Sequence, residues 1–275
     1  MSTFLTAPRG STRLWLSGAI AAAALLLTLA APAPASAAPR PTVVFVHGAF
    51  ADSSGWLPEM GALRRRGYPT IAFSNPLRGV SSDSGDLRLF LSTIRGPIVL
   101  VGHSYGGAVI TNAATGNPNV KSLVYIAAFA PEAGENLEQL QAKVSGGMVS
   151  PATLDIRPYL LPDGRTTAPE GFIKPSLFRG IFAADLPRAK AALLAATQRP
   201  VALSVLGEPS GEPAWKTIPS WYMVAGKDRA IGAGLEKFMA KRMGARTVVA
   251  KGASHAVHVS KPRQVTKLVL KAVKR

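Results

Sequence analysis

Residues 97–108 read PIVLVGHSYGGA. Bulky apolar residues from Ile98 to Val101 run straight into a serine flanked by Gly102 two positions before it and Gly106 two positions after it. The apolar run predicts a strand buried on both faces, and GGAVITNAA behind the serine predicts a helix. A serine in a sharp turn between the two has its oxygen lifted clear of the backbone, and the turn is so tight that side chains on its flanks would collide. The G-x-S-x-G spacing around Ser104 therefore asks for a strand that ends where a helix begins. A parallel sheet covered by helices supplies such junctions.

Five further runs have the same character: TVVFV from Thr42, TIAF from Thr70, SLVYIAA from Ser122, WYMVA from Trp221 and TVVA from Thr247. They are continuous rather than alternating, as strands apolar on both faces must be. LPEMGALRRRG, SGDLRLFLSTIRG and GAGLEKFMAKRMG predict helices between them. The last residues place Val265, Leu268, Val269, Ala272 and Val273 at helical spacing with the cations opposite. The expected fold class is α/β: a doubly wound, mainly parallel six-stranded sheet carried by residues 38–130 and 217–275. About 90 residues separate the fourth strand from the fifth, far beyond an ordinary connection. Residues 131–216 contain the loop-like PDGRTTAPEG, the helix-like ENLEQLQAKV and LPRAKAALLAATQ, and the large apolar residues Leu160, Leu161, Phe172, Phe178, Phe182 and Trp215. Inserted at the carboxyl ends of the strands, they are expected to form a helical cap over a ligand crevice. A helical subdomain that only widens the core is the alternative.

An apolar content of 47% over 275 residues is ample for a packed core. The first 37 residues carry Arg9 and Arg13 and no acid, then an apolar run from Leu14 to Ala31, then small residues at Ala35 and Ala37. This pattern is that of a signal peptide cut after Ala37, giving a secreted protein with no stable membrane insertion after cleavage. An uncleaved anchor is the competing reading, because the apolar run approaches spanning length. The chain has no cysteine, which excludes disulfides, thiolate chemistry and a lipoprotein anchor. The formal net charge is +17, but the cations are scattered or lie on solvated helix faces, and Arg64, Arg65 and Arg66 precede a helix-ending Gly67. No nucleic-acid partner is expected.

A serine hydroxyl is a weak nucleophile at neutral pH and needs a base together with donors for the oxyanion its attack creates. Of four histidines, His103 adjoins Ser104 and must point away from it, and His47 ends the first strand and reads as structural. KGASHAVHV places His255 just past the sixth strand, with His258 as the reserve base. VAGKDRAI supplies Asp228 directly after the fifth strand as the acid that orients the histidine, with Glu132 in APEAGE as its competitor. FVHGAF offers backbone N–H groups at Ala49 and at Phe50, and Tyr105 offers one at the helix start. The order Ser, Asp, His, each at a strand end, points to nucleophilic acyl transfer.

VHGAF, GHSYGG, GKDRAI and GASHAV resemble the α/β-hydrolase superfamily across essentially all of the chain after residue 37. The short lead before the first strand and the pattern from His47 to Trp56 resemble its compact branch of plant methyl-ester esterases and hydroxynitrile lyases. The resemblance implies a triad of Ser104, His255 and Asp228, oxyanion donors at Ala49 and Tyr105, a small-molecule ester substrate, and no cofactor or metal. Hydroxynitrile lyases of this kind have threonine where Gly48 stands and lysine where Ala256 stands, so the resemblance favours hydrolysis. An apolar cap suggests small to medium apolar esters. A lyase, a perhydrolase using the same triad and a non-catalytic ligand-binding relative are the rival readings.

Overall fold

The computed structural model describes residues 39–274; the signal-peptide reading of residues 1–37 lies outside them. The strands are β1 (Thr42–Val46), β2 (Thr70–Phe73), β3 (Ile98–Ser104), β4 (Val120–Ala128), β5 (Leu154–Leu160), β6 (Thr167–Ile173), β7 (Val201–Ala202), β8 (Ser220–Ala225) and β9 (Arg246–Ala250). The helices are α1 (Leu57–Arg64), α2 (Val80–Ser92), α3 (Tyr105–Ala113), α4 (Leu137–Lys143), α5 (Pro175–Phe182), α6 (Arg188–Ala196), α7 (Ala233–Arg242), α8 (Val257–Ser260) and α9 (Pro262–Val273).

Six strands form one sheet in the order β2-β1-β3-β4-β8-β9, and every neighbouring pair is parallel. Alternate residues feed two apolar layers, which explains the continuous apolar runs. Val43 and Phe45 of β1 pack with Val99, Val101 and the buried stripe of α9, Val265, Leu268 and Val269. Val44 and Val46 pack on the other face with Leu87, Ala108 and Tyr125. The strand order reverses between β1 and β3, where Val46 pairs with Gly102. A crevice opens outside the strand ends at such a reversal.

The insertion between β4 and β8 carries α4, α5 and α6. Asn136 caps α4, its side chain accepting from the Gln139 N–H at 2.8 Å. A three-stranded antiparallel sheet, β5-β6-β7, accompanies these helices. The stretch PDGRTTAPEG, loop-like in sequence, is thus a hairpin turn held by Asp163, which accepts from the N–H groups of Arg165 and Thr166, followed by much of β6. Residues of the insertion, including Leu154, Phe178 and Trp215, join the same apolar layer as Val44 and Val46.

Candidate active site

Ser104 closes β3 and directly precedes α3, with φ 53° and ψ −124°. Few non-glycine residues hold such a conformation unless their surroundings impose it. A Cβ on Gly102 would lie 2.6 Å from the Gly106 carbonyl oxygen, and one on Gly106 would lie 2.5 Å from that of Val46. The two glycines thus let the start of α3 press against the end of β1. Gly48 is equally constrained, since a Cβ there would lie 2.5 Å from the Ser104 Cβ and 2.7 Å from the His103 carbonyl oxygen.

Asp228 follows β8 and His255 follows β9, and the two meet: His255 Nδ1 lies 2.5 Å from Asp228 Oδ2. Both side chains are buried. The other carboxylate oxygen, Oδ1, accepts the N–H groups of Ala230 at 2.6 Å and Ile231 at 3.0 Å. Burial alone would raise the Asp228 carboxyl, but the His255 ring and these hydrogen bonds overcome it and hold the group below its usual range. An ionised carboxylate on Nδ1 keeps that nitrogen protonated and leaves Nε2 as the basic site.

Ser104, His255, Ala49 and Tyr105 all line one narrow cavity of about 40 Å³. Its remaining wall is apolar, with Phe50, Phe129, Leu137, Leu154, Leu206 and Ile231 among the lining residues. Gln141 is the one amide side chain in it. Tyr105 opens α3, so its N–H has no intrahelical acceptor. Its hydroxyl donates to Asp83 at 2.8 Å and so is engaged elsewhere. Among the described residues no hydrogen bond joins the Ser104 hydroxyl to His255. Such contacts are often long before substrate arrives and tighten with it.

The rival residues lie elsewhere. Glu132 pairs with Lys216 at 2.6 Å on the surface. His258 is buried against the rings of His103 and Trp56, at 4.2 and 4.7 Å, and burial lowers it to about 3. His47 bridges two loops, with Nδ1 3.0 Å from the Gly48 carbonyl and Nε2 accepting from the Asn75 N–H at 3.0 Å. A separate hollow of about 660 Å³ between α1 and α9 is lined by Arg65, Arg66, Arg263 and Lys267 among others and contains none of these site residues.

Residues 43–268 match the model of the alpha/beta hydrolase family. The chain belongs to that family. Among curated relatives of this α/β hydrolase, the carbendazim hydrolyzing esterase of Nocardioides sp. (strain SG-4G) is 34% identical over 113 residues, which cover 36% of this chain and 47% of that one. Methylesterase 18 of Arabidopsis thaliana is 27% identical over 252 residues, covering 83% of this chain and 95% of its own. The crystal structure of polyneuridine aldehyde esterase superposes with a TM-score of 0.72 at 19% identity, covering 85% of this α/β hydrolase and 99% of that chain.

Two contacts at the site had no signature in the sequence. His103 Nε2 meets the His255 carbonyl at 3.1 Å and so ties the serine turn to the histidine loop. Phe182 of α5 packs edge-on to the His255 ring at 4.8 Å.

Proposed function

We propose that this α/β hydrolase is a secreted serine esterase that cleaves small to medium apolar carboxylic esters through an acyl-enzyme. The observation that carries the reading is the buried Asp228–His255 pair, 2.5 Å apart, whose imidazole shares a cavity wall with Ser104. His255 Nε2 removes the Ser104 proton as Oγ attacks the ester carbonyl carbon. The resulting oxyanion is received by the N–H groups of Ala49 and Tyr105, donors of a kind worth about 3 kcal/mol of barrier each. Collapse expels the alcohol, which takes the proton from His255, and water then hydrolyses the acyl-enzyme by the reverse sequence of proton transfers. The apolar wall supports uncharged acyl and alcohol groups, because a buried charge would find no partner there. The esterase relatives support the reaction class. The space beside Ser104 is closed to any side chain at residue 48, which favours hydrolysis over cyanohydrin chemistry.

The test is a chromogenic short-chain ester combined with labelling by a serine-directed phosphonate. Wild type is expected to turn over and to label at Ser104, and Ser104→Ala to do neither. Undiminished turnover by Ser104→Ala would overturn the proposal, and export of a tagged full-length chain into the medium tests the secretion.

A further inference from the structure

The peptide joining Ser104 to Tyr105 presents two groups from one plane: its N–H is the proposed oxyanion donor, and its carbonyl oxygen accepts the Phe129 N–H at 3.0 Å. Because the peptide is planar, turning one group turns the other. Ser104, at φ 53° and ψ −124°, is in a strained setting that rotation of this peptide would relax. The Tyr105 side chain opposes such a rotation. It is buried, and its hydroxyl donates to Asp83 Oδ2 at 2.8 Å. Asp83 sits in the first turn of α2 with no solvent exposure, and its Oδ1 and Oδ2 also face the Arg78 N–H, at 3.1 and 3.2 Å. The segment carrying Arg78 is gripped in turn by the insertion. The Leu77 carbonyl accepts the Ala202 N–H at 2.9 Å, Glu208 accepts the N–H groups of Val80 at 2.5 Å and Ser81 at 2.9 Å, and the Arg78 guanidinium meets Glu170 at 2.8 Å. Asp83 is thus a fixed anchor for the phenol.

We propose that Asp83 is a positioning residue for the oxyanion hole: it holds the Tyr105 hydroxyl, so that the Tyr105 N–H keeps its aim at the oxygen that gains charge when Ser104 attacks. This rests on the esterase reading above. Asp83 does not line the cavity and touches no reacting atom, so it acts only through Tyr105. The chemistry needs nothing from residue 105 except its backbone N–H. A phenylalanine ring would fill the same space, and the hydroxyl has Asp83 as its one hydrogen-bond partner among the described residues. What the hydroxyl adds to the site is therefore this bond.

Tyr105→Phe removes the hydroxyl and keeps the ring and the N–H, whereas Asp83→Ala removes the acceptor. One oxyanion donor is worth about 10²–10³ in kcat, and a donor turned off its line forfeits part of that. Each variant should therefore lose about tenfold in kcat with KM within about twofold. The double variant should lose no more than the worse single one, because both act through one bond. A bond that only stabilised the fold would lower the urea midpoint and leave the kcat of the folded variants unchanged. The second readout is inhibition by a trifluoromethyl ketone: Ser104 Oγ adds to its carbonyl carbon, the Ser104 proton passes to His255, and the ketone oxygen becomes the oxyanion. Its inhibition constant should weaken in folded Tyr105→Phe by the factor lost in kcat/KM. Wild-type kcat and inhibition in folded Tyr105→Phe would overturn the proposal, as would single losses that multiply in the double variant. Should Asp83→Ala not fold, Tyr105→Phe decides. A wild type that neither cleaves the ester nor binds the ketone would refute the esterase reading and this proposal with it, whereas a wild type that does both, beside an unimpaired Tyr105→Phe, would refute the positioning alone.

Discussion

The backbone carbonyl of Phe182 accepts the N–H of Ala256 at 2.8 Å. The insertion is thereby bonded to the residue next to His255, and the Ser254 hydroxyl adds a second tie by donating to Asp185 in the same insertion. The wall of the cavity and the proposed base are thus held as one assembly.

Phe182→Ala should therefore act on stability and on turnover together. Emptying a site this buried costs about 3–5 kcal/mol. Loss of the ring edge against His255 should also lower kcat at temperatures where the variant remains folded. Urea unfolding and ester kinetics on the same preparation check both, with Phe182→Leu expected to fall between.

Asp228→Asn should lower kcat by about four orders of magnitude with little change in folding, because the amide would favour the wrong imidazole tautomer. Glu132→Ala should leave kcat unchanged, since the Glu132 side chain binds only Lys216 and neighbouring backbone among the described residues. A Glu132 variant as impaired as the Asp228 variant would move the acid to the loop after β4.

Gly48→Ala places a methyl group where Ser104 Cβ and the His103 carbonyl already stand. Both are backbone-anchored and cannot swing aside, so the serine turn must shift. A fall in kcat of at least about tenfold is expected, since displacements of about 1 Å at a nucleophile can cost a hundredfold. Turnover of the variant and of wild type on one ester measures it.

Acid should weaken the fold through its buried histidines. Burial lowers His47 to about 4 and His258 to about 3, against 6.5 when unfolded. Below the unfolded value the unfolded chain binds more protons, so this stability is complete above that pH and is lost as pH falls towards the folded values. His258→Leu should flatten the acid limb by up to about 1.4 kcal/mol per pH unit, read from urea midpoints between about pH 6 and 4.

Glu59 acts with the opposite sign. Burial raises it to about 9, and among the described residues neither carboxyl oxygen has a hydrogen-bond partner. The folded state therefore holds a proton that the unfolded chain releases above about 4.5, and stability declines as pH rises towards 9. Glu59→Gln should remove that decline, which unfolding at pH 6 and pH 9 measures.

The sheet was legible in the sequence because its strands are buried on both faces, and TVVFV or PIVLV leaves no other reading. The strand-end positions of Ser104, Asp228 and His255 were legible because each comes a few residues after such a run. The small sheet of the insertion was hidden: β5 and β6 carry Pro158 and Pro169 facing each other and several exposed positions, so no apolar period survives. Glu59 was hidden for another reason. A glutamate within a helix reads as a solvated residue, and only the packing of the helix reveals that it faces inward.

Most of the cavity wall comes from one contiguous piece of chain, whereas the residues proposed to move protons stand on strand ends outside it. Exchanging residues between β4 and β8 for the corresponding segment of another hydrolase is thus a route to new ester preferences that leaves the acid–base apparatus in place. A successful exchange has one requirement set by the architecture: the donor segment must present a carbonyl and an aromatic edge where Phe182 now stands.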